Sequence, residues 1–139
     1  MSSVVPLPPG TVPATDRSTD PTVVEYAVQE MFKGKSPAAA AKRTAQKLSG
    51  SENFFLGSGV TTVDPKALEG ALWDRLAAYA AKSVGGIAAG KEHYALDGTL
   101  QYFKQVPFGG TSKPAARSKL KALVVERLGH DPFTSDDGG

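Results

Sequence analysis

Gly34, Lys35 and Ser36 form the tripeptide that ends a phosphate-binding loop, so the first chemistry to consider is nucleotide binding. Such a loop also needs a glycine five residues before Gly34, because its backbone N–H groups must curl around the phosphates. Gln29 occupies that position, inside a segment with helical periodicity. Pro37 removes a donor that a helix N-terminus would offer to a phosphate. The tripeptide therefore predicts the end of one helix and the start of another.

The same region carries a cluster of positive charge. Residues 31–51 include no acidic residue, and their basic residues are Lys33, Lys35, Lys42, Arg43 and Lys47. Two helices joined by a short turn containing glycine are typical of a helix-turn-helix, which could place these side chains on phosphates. Arg43 and Gln46 are the side chains of the second helix best suited to reading base edges. The segment predicts either a nucleic-acid-binding surface or a solvated helix face.

Side chains with catalytic chemistry are few. The chain has no cysteine and two histidines, His93 and His130, and no cluster of histidine and acidic residues has metal-ligand spacing. The sequence around Ser58 lacks the pattern of a nucleophile elbow. We therefore assign no catalytic, cofactor-binding or metal-binding residue and expect a protein that is not an enzyme, with a dispersed site at His93 as the remote alternative.

A second basic group lies near the C-terminus. It comprises Lys113, Arg117, Lys119, Lys121 and Arg127. Leu120, Val124 and Leu128 form the opposite face at helical spacing. This pattern predicts an amphipathic helix that docks on its own core or, alternatively, on a partner.

Length and charge limit the remaining classes. With 139 residues the chain is sized for one domain. A net charge of +2 is too small for a protein held to a polyanion by overall charge. No apolar run spans a bilayer, and the proline-interrupted start lacks the pattern of a signal peptide. We expect a soluble protein, intracellular or within a particle.

The first residues predict an extended arm. Residues 1–19 contain Pro6, Pro8, Pro9 and Pro13, which fix φ and remove backbone donors. Pro6 and Pro9 also make the minimal pattern that aromatic grooves recognise. The residues expected to contact a partner are Val4, Val5, Pro6, Leu7, Pro8, Pro9, Val12 and Pro13. A single domain is predicted at 20–130 and a polar tail at 131–139.

Helix boundaries are marked by residue type. Asp20, Ser36 and Asp64 each precede a proline, the pattern of an N-cap followed by the first helical position. With glycines as C-caps, they predict helices at 21–33, 37–48 and 65–83, and a looser version of the pattern at 112–114 predicts a fourth helix at 113–128. Residues 54–63 predict a short strand or an ordered loop. Residues 93–103 are ambiguous between a hairpin at Asp97 and Gly98 and a short helix capped by Asp97.

These elements predict a mainly α fold, a small bundle of four to five short helices with a Gly-rich irregular insert at 84–111 and a Pro-rich arm. The second helix should bury a narrow face of Ala38, Ala41, Ala45 and Leu48, which lets neighbours approach closely. The rest of the expected core is Val24, Val28, Phe32, Leu68, Leu72, Leu76, Tyr79, Leu120, Val124 and Leu128, with Phe54, Phe55, Tyr102, Phe103 and Phe108 added from loops.

Two functions follow from this organisation. The favoured hypothesis is a non-catalytic structural or accessory subunit of a larger assembly, such as a virion-like particle, that binds protein neighbours through its arm and helical body. The alternative is a small helical nucleic-acid-binding protein that uses the basic residues of the 33–47 segment.

Overall fold

Helices account for most of the chain described in this computed structural model, which covers residues 14–52, 60–104 and 113–133. In chain order the elements are β1 (Ala14–Asp16), α1 (Pro21–Phe32), α2 (Pro37–Leu48), β2 (Ser51–Glu52), β3 (Val60–Thr62), α3 (Pro65–Gly85), α4 (His93–Tyr102) and α5 (Lys113–Leu128). The mainly α fold is confirmed. The four predicted helices are present, and none of their ends differs from its predicted position by more than two residues.

The predicted N-caps explain why the first three helices begin where they do. The side-chain oxygens of Asp20, Ser36 and Asp64 accept hydrogen bonds from backbone N–H groups of the following turn at 2.8–3.4 Å. A proline occupies the start of each helix, where no intrahelical donor is required. These ends are therefore set by local sequence.

The helix ends follow the glycines with one exception. Gly34 has a φ of 101°, a left-handed conformation that costs glycine little, and its N–H bonds to the carbonyl of Met31. Gly50 and Gly129 likewise have positive φ after α2 and α5. The prediction of a left-handed cap at residues 85 and 86 is wrong, since α3 runs through the first of these glycines. It ends instead in a tighter turn, in which the N–H of residue 86 bonds to Ser83 at 3.1 Å.

The ambiguous segment 93–103 is a helix, and the hairpin alternative is wrong. Asp97 does not cap α4 because it lies within that helix, where it pairs with Arg117 of α5 at 3.1 Å. The buried face of α4 consists of Ala95, Leu96, Thr99 and Leu100, the spacing of one side of a helix. The predicted irregular insert at 84–111 thus contains an ordered helix that packs on α3 and α5.

A small sheet ties the start of the described chain to the helices. The strand order is β1-β3-β2, with β1 parallel to β3 and β2 antiparallel to it. Residues 14–16, at the end of the predicted arm, therefore form an edge strand. Ser18 fixes this strand to α3, because its buried hydroxyl donates to Asp16 and accepts the N–H of Asp64 at 2.7 Å. The arm consequently enters the body at a fixed point.

The core is centred on α3, which packs against each of the other four helices. Residues of the expected core that are buried are Val24, Val28, Leu68, Leu72, Leu76, Phe103, Leu120 and Val124, with Phe32, Leu48 and Leu128 partly buried. Phe133, placed by the sequence in the polar tail, is also buried. Phe54, Phe55 and Phe108 lie outside the described residues.

Two tyrosines of the expected core are exposed instead. Tyr79 is 37% exposed and Tyr102 is 55% exposed. On α3 the buried positions after Leu76 are Ala77 and Ala80, so Tyr79 lies at the edge of the apolar stripe. On α4 the buried aromatic position is taken by Phe103. Both rings therefore belong to the surface as well as to the aromatic packing beneath it.

The buried face of α2 is also rotated from its predicted position. It consists of Pro37, Ala40, Ala41, Thr44 and Ala45. Ala38, which the sequence assigned to this face, is exposed. The small side chains that remain on the face lie between α2 and its neighbours α1 and α3.

Candidate functional site

The predicted basic cluster divides into two parts in the structure. Lys33 and Lys35, in the turn after α1, both contact the buried carboxylate of Glu30, at 3.2 and 3.0 Å. The Lys35 ammonium, with Lys33 adding to its effect, lowers the pKa of Glu30 although burial opposes the shift. The carboxylate is therefore charged at neutral pH and offsets part of the positive charge of these two lysines.

The other part of the cluster lies on α2. Lys42, Arg43 and Lys47 are exposed, together with Gln46, on the side of the helix opposite the buried alanines. Within the described ranges these three cations form no ion pair. They are therefore the members of the predicted set that remain able to contact a phosphate.

The basic residues of α5 are mostly engaged within the protein. Arg117 binds Asp97, and the ammonium of Lys119 lies 4.6 Å from the centroid of the Trp73 ring. Lys121 lies over Phe133 at 5.6 Å. Ala116, Leu120 and Val124 are buried on the opposite face. Of the two predicted roles of this amphipathic helix, docking on its own core is the one observed.

An aromatic cluster joins α1, α3 and the end of α4, and we define it as Phe32, Tyr79, Tyr102 and Phe103. The rings of Phe32 and Phe103 stack at 4.8 Å beneath the surface. Tyr79 and Tyr102 contact Phe103 edge to face, at 5.2 and 5.1 Å between centroids. The packing below thus fixes the orientation of the two exposed rings.

A groove opens beside this cluster. We call it the tyrosine groove; its lining residues are Tyr79, Ser83, Gly98, Thr99 and Tyr102, and its volume is about 420 Å³. The two tyrosine rings lie 5.5 Å apart at an angle of 46°. Neither phenol hydroxyl is hydrogen bonded to the described part of the chain. The described lining of the groove therefore offers apolar ring faces and hydroxyl groups, and it includes no charged side chain.

The sequence prediction did not identify this surface, although it named both tyrosines. The available signal was that each tyrosine lies beside a residue better suited to burial, Ala80 in one case and Phe103 in the other. A tyrosine in such a position can bury its ring edge while its hydroxyl stays in water.

The two histidines of the chain do not form a metal site among residues 14–52, 60–104 and 113–133. These ranges contain no group of three or more histidine, cysteine or acidic residues that could hold a metal ion. His93 is partly buried at the start of α4, with its ring 3.9 Å from that of Tyr94. His130 contacts the carbonyl of Leu128 at the end of α5. Arm residues 4–9, 12 and 13 lie outside the described residues.

Comparison of the chain with protein-family models, with curated proteins and with solved structures finds no match. In the described part of the chain no helix has the length and apolar character needed to cross a membrane.

Proposed function

We propose that the protein is a non-catalytic structural or accessory subunit of a larger assembly, within a cell or a particle. The observation that supports this proposal is the pair of exposed tyrosines, Tyr79 and Tyr102, which both pack on the buried ring of Phe103. Tyrosine is enriched at protein interfaces, where it gives a large contact area at a small cost in conformational entropy. A partner that covers these rings would bury apolar surface without displacing the core.

The arm provides the second binding element of the proposal. It is continuous with β1, whose one edge pairs with β3 and whose other edge has no strand partner among the described residues. An unpaired edge accepts further backbone hydrogen bonds, and an extended arm that begins there can follow a neighbouring subunit. Such neighbours would be protein subunits of a virion-like particle or another multi-subunit complex.

Removal of residues 1–13 is expected to weaken self-association while leaving the fold intact, since β1 and Ser18 are retained. Sedimentation velocity should show that the full chain associates at micromolar concentration, with a dissociation constant smaller than that of the truncated chain by about tenfold or more. The control is removal of residues 134–139, which shortens the other end without touching the arm. Equal association of all three chains, or a monomeric full chain, would contradict the proposal.

A second candidate function is nucleic-acid binding by α2. It is favoured by one observation, the exposure of Lys42, Arg43 and Lys47 on a single helix face without ion-pair partners among the residues described. Three phosphate contacts of this kind would neutralise three backbone charges.

If α2 binds duplex DNA in this way, the logarithm of the binding constant should fall with the logarithm of salt concentration with a slope of about −2.7. Combined Lys42→Glu and Arg43→Glu substitution should then abolish measurable binding, because two of the three contacts become repulsive. Lys82→Glu combined with Arg127→Glu makes the same change of charge on α3 and α5 and is expected to retain binding. Equal losses in the two double variants would show that overall charge, and not this face, is responsible.

A further inference from the structure

The tyrosine groove has the features of a site for an extended peptide. Gly98 and Tyr102 are four residues apart on α4 and so lie on one face of the helix. A Cβ atom added at Gly98 would meet none of the described residues within 4 Å, so these residues leave the surface in front of Tyr102 open. Ser83 and Thr99 add hydroxyl-bearing side chains to the lining.

The two tyrosine rings are held in place before any partner binds. Phe103 is fully buried and contacts both rings edge to face, with interplanar angles of 75° and 82°. Binding at such a site would cost little side-chain entropy because the rings are already oriented. The phenol hydroxyls, which make no hydrogen bond in the described ranges, can donate to an incoming carbonyl.

These properties match the chemistry of a polyproline II segment. Such a segment has no internal hydrogen bonds, so its carbonyls are available to hydroxyl donors while its proline rings pack against aromatic faces. Residues 4–9, VVPLPP, contain this pattern, including Pro6 and Pro9. Residues 1–13 carry no charged side chain, which matches the uncharged lining of the groove.

We propose that the tyrosine groove binds residues 4–9 of a neighbouring copy of the chain in the polyproline II conformation. This rests on the proposed function, and it names the surface that receives the arm. Only residues 10–13 separate the segment from β1, which limits its reach from its own strand to about 18 Å. A neighbouring copy is not subject to that limit, and exchange of arms between copies would link subunits.

The test uses the full chain and a fluorescently labelled peptide with the sequence of residues 1–13. Gly98→Leu is designed to fill the groove in front of Tyr102 without removing a core side chain, and leucine is a better helix former than glycine. We expect it to weaken peptide binding, followed by fluorescence anisotropy, by about tenfold or more. Gly70→Leu makes the same change on α3, where an added Cβ also meets open space, and is expected to leave binding unchanged.

Two further variants test the chemistry of recognition. Tyr79→Phe combined with Tyr102→Phe keeps both rings and removes both hydroxyls, and it should weaken binding by about fivefold or more if they donate to the peptide. A peptide with Pro6→Ala and Pro9→Ala should bind about tenfold more weakly, because it loses both proline rings and the preset backbone. Circular dichroism melting of each protein variant checks that the helices are retained.

The outcomes separate this inference from the function on which it rests. If association depends on the arm and Gly98→Leu weakens it, the result supports both the groove as the receiving site and the assembly role. If association depends on the arm but neither Gly98→Leu nor the double tyrosine variant changes it, the proposed function is retained. The groove is then not the site that receives the arm. Peptide binding that Gly98→Leu blocks, in a full chain that stays monomeric, would show that the groove recognises the arm sequence, but it would contradict both the exchange of arms between copies and the assembly role. The arm could instead bind the groove of its own chain. A monomeric full chain that binds no added peptide, and whose stability the groove variants change, would show this and would overturn the inference.

Discussion

Phe103→Ala is expected to lower the free energy of unfolding by about 3–5 kcal/mol. Phe103 is 0% exposed and stacks on Phe32, with ring centroids 4.8 Å apart. Its removal would leave a cavity where α1, α3 and α4 meet, and the surrounding rings can close that cavity only in part. Since small domains are stable by about 5–15 kcal/mol in total, the loss should be visible as a large shift in a urea denaturation curve.

The neighbouring Tyr102→Ala variant is the matched control for this prediction. Tyr102 is 55% exposed, so its truncation removes much less buried surface and should cost about 1 kcal/mol or less. Similar losses in the two variants would contradict the assignment of one ring to the core and the other to the surface. Phe103→Leu, which retains most of the apolar volume, should fall between them.

The parts of the fold that follow from the sequence are those that local chemistry determines. Asp20, Ser36 and Asp64 each cap a helix through bonds to backbone groups two or three residues away. Such interactions lie within a short window of sequence, and a proline next to each cap adds a second local signal. The ends of α1, α2 and α3 were therefore predictable to within two residues.

The parts of the fold that could not be predicted from the sequence depend on contacts between distant segments. Asp97 pairs with Arg117, and α4 buries its apolar face against α3 and α5. The local sequence at Asp97 and Gly98 also fits a hairpin, so only this packing distinguishes the two conformations. The same holds for Ser18, whose bond to Asp64 joins residues 46 positions apart.

The candidate surfaces also depend on contacts that the local sequence does not reveal. The predicted basic segment began after residue 30, and so it excluded Glu30, the acid that binds two of its lysines. The turn at Gly34 places Lys35 in contact with that carboxylate. A count of charges along the sequence does not reveal this contact. The tyrosine groove is formed by residues of two helices and becomes apparent only when α3 and α4 are placed side by side.

Ala41→Leu is expected to lower the free energy of unfolding by about 1–3 kcal/mol. Ala41 is 0% exposed on the face that α2 presents to its neighbours, and α2 packs against both α1 and α3. A leucine there adds three heavy atoms to a closely packed contact, so the helices must separate or the new side chain must adopt a strained rotamer. Thermal and urea denaturation would both report the loss.

Ala38→Leu distinguishes the observed face of α2 from the one predicted by the sequence. The predicted stripe included Ala38 with Ala41, whereas the structure exposes Ala38 and buries Ala40 and Thr44. Because leucine at an exposed helical position is nearly as favourable as alanine, Ala38→Leu should change stability by less than about 0.5 kcal/mol. A loss equal to that of Ala41→Leu would instead support the predicted stripe.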